Sequence, residues 1–365
     1  MSTPVNLFGL NEAELASLLA ESGIPRFRAS QLVYWMYNRR ITDFEAMTNL
    51  PRALRAALGE RYTVRHPELV TSQRSSDGTI KYLFALDDGR RIETVLIPSE
   101  SEEAGVPRRL TLCMSTQVGC ALGCAFCATA TMKLLRNLTP GEIVGQWAAV
   151  QSLLETRITN LVYMGMGEPM HNYEAVMQSI DIITHEKTCG VSASHITVST
   201  AGLVAGIRRM ADEGRKVKLA ISLHATSDGF RSELMPINRT HALDVLVQAA
   251  SYYYEKTRKR VTWEYILFEG RNDTLEDARR LSRLTRRVPS KVNLIPFHPI
   301  DGAGTTRLQA TPHARIEAFA AELRALHVTV MLRSSSGRDI DAACGQLAVR
   351  QERTRRVQDA GRVHS

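Results

Sequence analysis

No stretch of about 18 uninterrupted apolar residues occurs in this 365-residue chain, so the sequence predicts no membrane-spanning helix. Met1 to Leu10 lack a basic segment followed by an apolar one, which predicts no secretory leader and a cytoplasmic protein. Collagenous and disordered compositions are missing too: 44% of the residues are apolar, 23% are charged, and there are 23 Gly and 13 Pro. The bulk of the chain is therefore expected to fold, and its length suits roughly two or three domains around one sizeable core. Cysteine is sparse and uneven, with six residues of which three fall within eight positions. That clustering excludes the spread of a secreted disulfide framework and points to metal binding or thiol chemistry.

Basic residues outnumber acidic ones 46 to 38, a net charge of +8 that favours a polyanionic partner, nucleic acid first. Residues 1–75 read as a small helical domain. Leu15, Leu18 and Leu19 share a face behind a candidate N-cap at Asn11, Ile24-Pro25 breaks the run, and helical windows recur at residues 31–37 and 54–58. Arg26, Arg28, Arg39, Arg40, Arg52 and Arg55 are scattered through it, as a solvated helix face or as a phosphate-contacting surface.

Residues 76–109 form a hairpin and linker: Lys81 to Leu86 and Arg91 to Ile97 are joined by Asp87-Asp88-Gly89, and the loop Ser99 to Arg109 follows. Over residues 110–348, candidate strands at 110–115, 160–165, 195–200, 218–223, 261–267, 291–296 and 327–332 alternate with helical windows. That order predicts an α/β core with parallel strands and right-handed crossovers. With no GxGxxG turn near its first strand, a full or partial β/α barrel is favoured over a Rossmann sheet, and ligands are expected at the C-terminal mouth of the strands. Residues 349–365, with Arg350, Arg353, Arg355, Arg356 and Arg362, read as a mobile basic tail.

Cys120, Cys124 and Cys127 form a CxxxCxxC sequence just after the first barrel strand. Three thiolates in one loop can hold three corners of an iron-sulfur cube and leave the fourth iron open. A zinc site completed by a distant His, or three buried thiols, is the other reading; zinc is disfavoured because no second Cys pair or His cluster accompanies the loop. Gly165-Met166-Gly167-Glu168-Pro169 ends the second strand, where glycine permits close backbone approach and a carboxylate can receive an ammonium group. Ser199, Ser222-Leu223-His224 and the run Asn293 to His298 end later strands; each alone reads equally as a satisfied strand-end polar group. Cys113 and Cys344, taken alone, read as buried structural cysteines.

CxxxCxxC after a first β/α strand resembles the signature of the radical S-adenosylmethionine (SAM) superfamily. Over nearly its whole length the chain further resembles the RlmN and Cfr family of adenine RNA methyltransferases. The matching pieces are Phe27 to Gln31, Thr42-Asp43-Phe44, Glu93-Thr94-Val95, Cys113 with Gln117 to Cys120, Arg136 to Thr139, Asn293 to Pro296, and Asp339 to Leu347.

The resemblance implies a partial barrel with an N-terminal helical domain and a β-hairpin extension. It implies a 4Fe-4S cluster on Cys120, Cys124 and Cys127, with SAM bound by Gly167, Glu168, Ser199, Ser222, Leu223 and His224. Cys344 would carry a methyl group, Cys113 would be its thiol partner, and Glu93 an acid/base carboxylate; Cys189 matches no role and reads as structural. Two departures are visible: His298 stands where the family usually has Asn at a SAM contact, and the loop Ser99 to Arg109 is longer than usual.

The implied activity is formation of 2-methyladenosine in 23S ribosomal RNA and in transfer RNA beside the anticodon, with electrons from flavodoxin or ferredoxin; a monomer is the default expectation. Because adenine C2 is not nucleophilic, the implied route passes through S-methyl-Cys344, a methylene radical adduct and a transient Cys113–Cys344 disulfide. The neighbouring alternative is methylation at C8. A non-catalytic iron-sulfur RNA-binding redox sensor, from another class, would leave Cys113 and Cys344 without a purpose.

Overall fold

The computed structural model describes residues 4–99, 109–299, 308–333, 336–343 and 345–347. The basic tail, most of the loop before Arg109 and Cys344 itself lie outside these described residues. β1 (Val5–Asn6) leads into α1 (Glu12–Glu21), which opens with a capping box. The Asn11 side chain accepts from the amides of Ala13 and Glu14, and Glu14 accepts from the Asn11 amide at 2.8 Å. Leu15 and Leu19 are buried and Leu18 packs beside them, the face that the periodicity predicts. Gly23, with φ +71°, ends the helix and lets the Ile24 amide reach back to the Leu19 carbonyl at 2.9 Å.

α2 (Arg28–Val33) continues into a π-helical turn at Tyr34–Asn38, and α3 (Arg52–Arg61) ends at β2 (Tyr62–Thr63), which pairs in parallel with β1. Arg26, Arg39 and Arg52 are exposed, whereas Arg28 lies 4.6 Å from the Phe27 ring centroid and Arg55 pairs with Glu45.

β3 (Glu68–Arg74), β4 (Ile80–Ala85) and β5 (Arg91–Ser99) form an antiparallel meander, of which β4 and β5 are the predicted hairpin. β3 is absent from the sequence reading because all its residues are exposed, so its side chains carry no alternation of buried and open positions. β5 then pairs with β6 (Arg109–Cys113), Val95 facing Cys113, so the hairpin continues directly into the barrel sheet.

β7 (Gln117–Val118) and β8 (Arg136–Asn137) bracket the cysteine loop and the short α4 (Ala128–Thr131). Next come α5 (Pro140–Ser152), β9 (Asn160–Tyr163), α6 (Tyr173–Thr184), β10 (Ile196–Thr200), α7 (Val204–Asp212) and β11 (Lys218–Ser222). The chain goes on through α8 (Asp228–Leu234), α9 (Leu243–Thr257), β12 (Val261–Leu267), α10 (Leu275–Thr285), β13 (Ser290–Pro296), α11 (His313–Ala325) and β14 (Val330–Leu332).

β6 and β9 to β14 are parallel and adjacent in order, and β14 and β3 are the two edges of the sheet, so the barrel is partial. Every predicted core strand is present. Apolar runs enclosed on both faces, such as β12 with all its residues buried, carry that signal in sequence.

The helical amino-terminal region docks through two glycines. A Cβ on Gly9 would come within 2.3 Å of the Gly141 amide nitrogen, and one on Gly141 within 2.2 Å of the Phe8 carbonyl oxygen. Gln178 on α6 then donates to the Gly9 carbonyl at 3.2 Å and to Glu14 at 2.8 Å. Among the described residues no helix is long and apolar enough to cross a membrane.

Candidate active site at the barrel mouth

Cys120, Cys124 and Cys127 follow β7 on a loop tied down at several points. The Ala125 amide donates to the Leu234 carbonyl at 2.8 Å and the Ala128 amide to the Gly345 carbonyl at 2.6 Å. Gly119 turns at φ +79°, where any Cβ would run into the Lys133 carbonyl. The three sulfurs belong to the wall of a cleft of about 870 Å³, partly open to solvent, at the C-terminal ends of the strands.

Burial pushes the Cys120 thiol up to about 11, reinforced by Cys127 and Glu168, and burial likewise lifts Cys124, with Cys127 and Cys120 adding and Arg231 opposing. Three thiolates crowded in a dry site repel one another unless a positive centre sits among them, which fits a metal cluster. No three His, Cys, Asp or Glu among the described residues are placed to hold one metal ion. A cube is a different demand, since each thiolate binds its own iron.

Glu168, buried, lines the same cleft. Its Oε2 accepts from the Ala201 amide at 2.8 Å and its Oε1 from the Met170 amide at 3.0 Å. Burial outweighs those bonds and pushes the carboxyl up to about 7. A buried acid held by backbone donors has the chemistry to receive a cationic group. Gly167, at φ +99°, brings its backbone so near Gln117 that a Cβ would lie 2.5 Å from the Gln117 Cβ.

Ser199, Ser222 and His224 line the same cleft. His224 sits at φ +53°, and its Nδ1 accepts from the Ile266 amide at 3.1 Å, so any ring proton is on Nε2. Burial, helped by Arg231, pushes its imidazole down to about 3, leaving it neutral at neutral pH.

Leu223 is fully buried in the core beside this wall, and its carbonyl accepts from Arg231 at 3.1 Å. His298 lies half-buried beyond β13 and outside the cleft lining, its Nε2 enclosed without a hydrogen-bond partner among the described residues.

Cys113 ends β6, buried, and Glu93 lies buried on β5, its backbone carbonyl accepting from the Ser115 hydroxyl at 2.6 Å. Lys81 Nζ stands 3.4 Å from Glu93 Oε1. Cys344 is outside the described residues, but Gly345 and Leu347 beside it line the cleft, and the Thr129 hydroxyl donates to the Leu347 carbonyl at 2.7 Å. Cys189 is buried in the core, away from the cleft lining.

Three polar residues escape the sequence reading. Arg231, fully buried, donates to the carbonyls of Ala201 at 2.8 Å, Ser222 at 2.9 Å and Leu223 at 3.1 Å, and so fixes the ends of β10 and β11. Glu264 and Arg333 line the cleft; Glu264 accepts from Asn293 at 2.9 Å. A carboxylate inside the apolar run of β12 is the one sequence signal that could have marked Glu264.

Residues 114–282 match the Radical SAM superfamily, and residues 5–64 match a family described as the ribosomal RNA large subunit methyltransferase N-terminal domain. The partial barrel and its three-cysteine cleft are those of a radical SAM enzyme. A crystal structure of a radical SAM methyltransferase from Sphaerobacter thermophilus superposes with a TM-score of 0.87 at 44% identity, covering 94% of this chain and 99% of that one.

The chain is 46% identical to the probable dual-specificity RNA methyltransferase RlmN of Salinibacter ruber, over 94% of each protein. It is 45% identical to the dual-specificity RNA methyltransferase RlmN of Alkalilimnicola ehrlichii, over 97% of each. The chain belongs to the RlmN family of radical SAM RNA methyltransferases. Its cofactors are those of the superfamily, a 4Fe-4S cluster and SAM.

Proposed function

We propose that this enzyme methylates C2 of adenine, forming 2-methyladenosine in 23S ribosomal RNA at the peptidyl-transferase centre and in transfer RNA beside the anticodon. The observation that supports it most is the docking of the carboxyl-terminal loop on the cysteine loop. Gly345 and Leu347, on either side of the loop's short turn after Cys344, line the same cleft as Cys127 and Glu168.

Adenine C2 lies between two ring nitrogens and is too electron-poor to attack a sulfonium, whereas a thiolate attacks one readily. Cys344 is the methyl acceptor: its sulfur takes the methyl group of one SAM and releases S-adenosylhomocysteine. When bound, the cluster on Cys120, Cys124 and Cys127 and a second SAM would supply a carbon radical able to take a hydrogen atom from the S-methyl group. The methylene left on Cys344 then joins C2.

Glu93 takes the C2 proton, and the adduct gives up one electron, which the cluster, when bound, would take back, so no outside oxidant is consumed. The Cys113 thiolate bonds to the Cys344 sulfur as the S–CH₂ bond breaks. The electron pair of that bond stays on carbon, which takes up a proton to become the methyl group. A thiol reductant reopens the disulfide before the next turnover.

In this reading Cys120, Cys124 and Cys127 hold three corners of the cluster, and Glu168 receives the SAM ammonium. Gly167, Ser199, Ser222 and His224 complete the SAM site, with Leu223 buried behind it and His298 outside the lining. Residues 1–75 hold the RNA, which must release the target adenine from its stack. Flavodoxin or ferredoxin supplies electrons, and the enzyme works as a monomer.

The test is anaerobic reconstitution with iron and sulfide, incubation with SAM, a reductant and unmodified 23S RNA, and mass spectrometry of the nucleosides. A 2-methyladenosine peak is expected. An 8-methyladenosine peak, or SAM cleavage with no methylated adenosine, would overturn the assignment.

A further inference from the structure

The tip of the β3–β4 hairpin meets the carboxyl-terminal loop, although some 260 residues separate them. Asp339 accepts from the Ser75 hydroxyl at 2.5 Å and from the Ser76 amide at 3.1 Å. In the other direction, Asp77 accepts from the Gly337 amide at 2.8 Å. A Cβ on Gly337 would lie 2.9 Å from the Thr79 Cγ2, so the hairpin and the loop meet without a gap there. Lys81, further along β4, reaches the Asp341 carbonyl at 3.4 Å.

The same ammonium stands 3.4 Å from Glu93 Oε1, and the two side chains are only 11% and 7% exposed. Lys81, Val95 and Cys113 lie opposite one another across β4, β5 and β6, and Glu93, two residues from Val95, shares their face. One cation therefore touches both the carboxylate strand and the loop that leads to Cys344.

We propose that Lys81 is a positioning residue, and that with Ser75 and Asp77 it makes the hairpin a clamp holding the Gly337 to Asp341 segment in register with Glu93. The proposal rests on the reading of Glu93 as proton acceptor and Cys344 as methyl carrier. Lys81 is not among the residues that line the cleft. It orients Glu93 through the ion pair and fixes the loop through the Asp341 carbonyl, so the base and the thiol carrier keep one relative geometry. A charge-assisted hydrogen bond in a nearly dry site holds a loop far better than a solvated one does.

The test compares the reconstituted full-length enzyme with Lys81→Met, Lys81→Arg and Asp77→Ala. Hydrogen exchange over residues 336–343 is expected to quicken about tenfold in Lys81→Met and in Asp77→Ala, with α3 unchanged. During turnover, Lys81→Met is expected to accumulate protein cross-linked to RNA on a denaturing gel, because proton removal from the adduct is slowed, and Lys81→Arg is expected to restore release.

Exchange in the 336–343 segment identical to wild type in both Lys81→Met and Asp77→Ala would overturn the clamp. Faster exchange in Lys81→Met with no adduct, or an adduct that Lys81→Arg does not relieve, would overturn the link to Glu93. If Lys81→Met fails to fold, the surface variant Asp77→Ala decides the clamp by exchange alone. A wild-type enzyme that makes no methylated adenosine would instead sink the reading of the reaction, and the exchange comparison would still stand.

Discussion

Glu93 and Cys113 lie on adjacent antiparallel strands and face the same side of the sheet, one diagonal step apart, because Val95 pairs directly with Cys113. Nineteen intervening residues, nine of them outside the described part of the chain, have no bearing on that closeness, since register sets it. In the proposed reaction, Glu93 and Cys113 placed this way serve successive steps on one adduct.

Cys344→Ala is expected to abolish RNA methylation while the iron content of the reconstituted protein stays at the wild-type level. Cys113→Ala is expected to stall one stage later, with protein covalently bound to RNA. Denaturing gels of the two variants side by side check both; methylated RNA from Cys344→Ala, or only free protein from Cys113→Ala, would contradict the assigned thiol roles.

Glu168→Gln removes the charge that would meet the SAM ammonium and keeps only one of the two oxygens that accept from the Ala201 and Met170 amides. A hydrogen bond to a charged group contributes about 1.5–3 kcal/mol, so SAM binding should weaken on the order of tenfold to a hundredfold. Equilibrium dialysis of the reconstituted protein reads this directly, and unchanged affinity would remove Glu168 from the SAM site.

His224 is held at about 3 against an ordinary 6.5, so the unfolded chain binds a proton that the folded chain refuses between those values. Its contribution to stability is complete above 6.5 and is lost as the pH falls towards 3. Lowering the pH from 7.5 to 5 should cost about 2 kcal/mol through this group alone. Urea unfolding at both values should show a flatter dependence in His224→Asn, and an equal dependence would mean that the imidazole is not the responsible group.

Gly167→Ala places a Cβ 2.5 Å from that of Gln117 at φ +99°, and neither backbone can yield without moving Glu168. Loss of SAM binding is expected together with a stability loss of about 1–3 kcal/mol. Thermal unfolding and equilibrium dialysis measure the two effects; a variant that binds SAM as wild type would show that the turn tolerates the change.

Arg231→Met leaves three strand-end carbonyls and the Asn238 side chain without their donor. Each orphaned buried acceptor costs about 1–3 kcal/mol, so a marked drop in the unfolding midpoint is expected, and SAM affinity should fall with it because Ser222 and Ala201 lose their anchor. A variant as stable as wild type would show that water replaces the guanidinium.

Local chemistry in the chain determined a good deal of this protein. Asn11 followed by Glu14 closes a helix wherever it occurs, the enclosed runs such as Val261 to Leu267 become core strands, and three thiols within eight positions meet in one loop because the chain between them is too short to part them. The motif residues Gly167, Glu168, Ser199, Ser222 and His224 were legible for the same reason, since each stands at the end of an apolar run and a parallel barrel brings such ends to one mouth.

Only the tertiary structure decided what depends on partners far along the chain. β3 carries no burial pattern and exists because β4 offers it a ladder. Arg231 is one arginine among many in sequence, and becomes an anchor when the carbonyls of two strand ends converge on it. Lys81 and Asp341 have no local signal at all. Their meeting comes from sheet register and loop docking, which are summed over many contacts, while a sequence motif records only what its immediate neighbours can enforce.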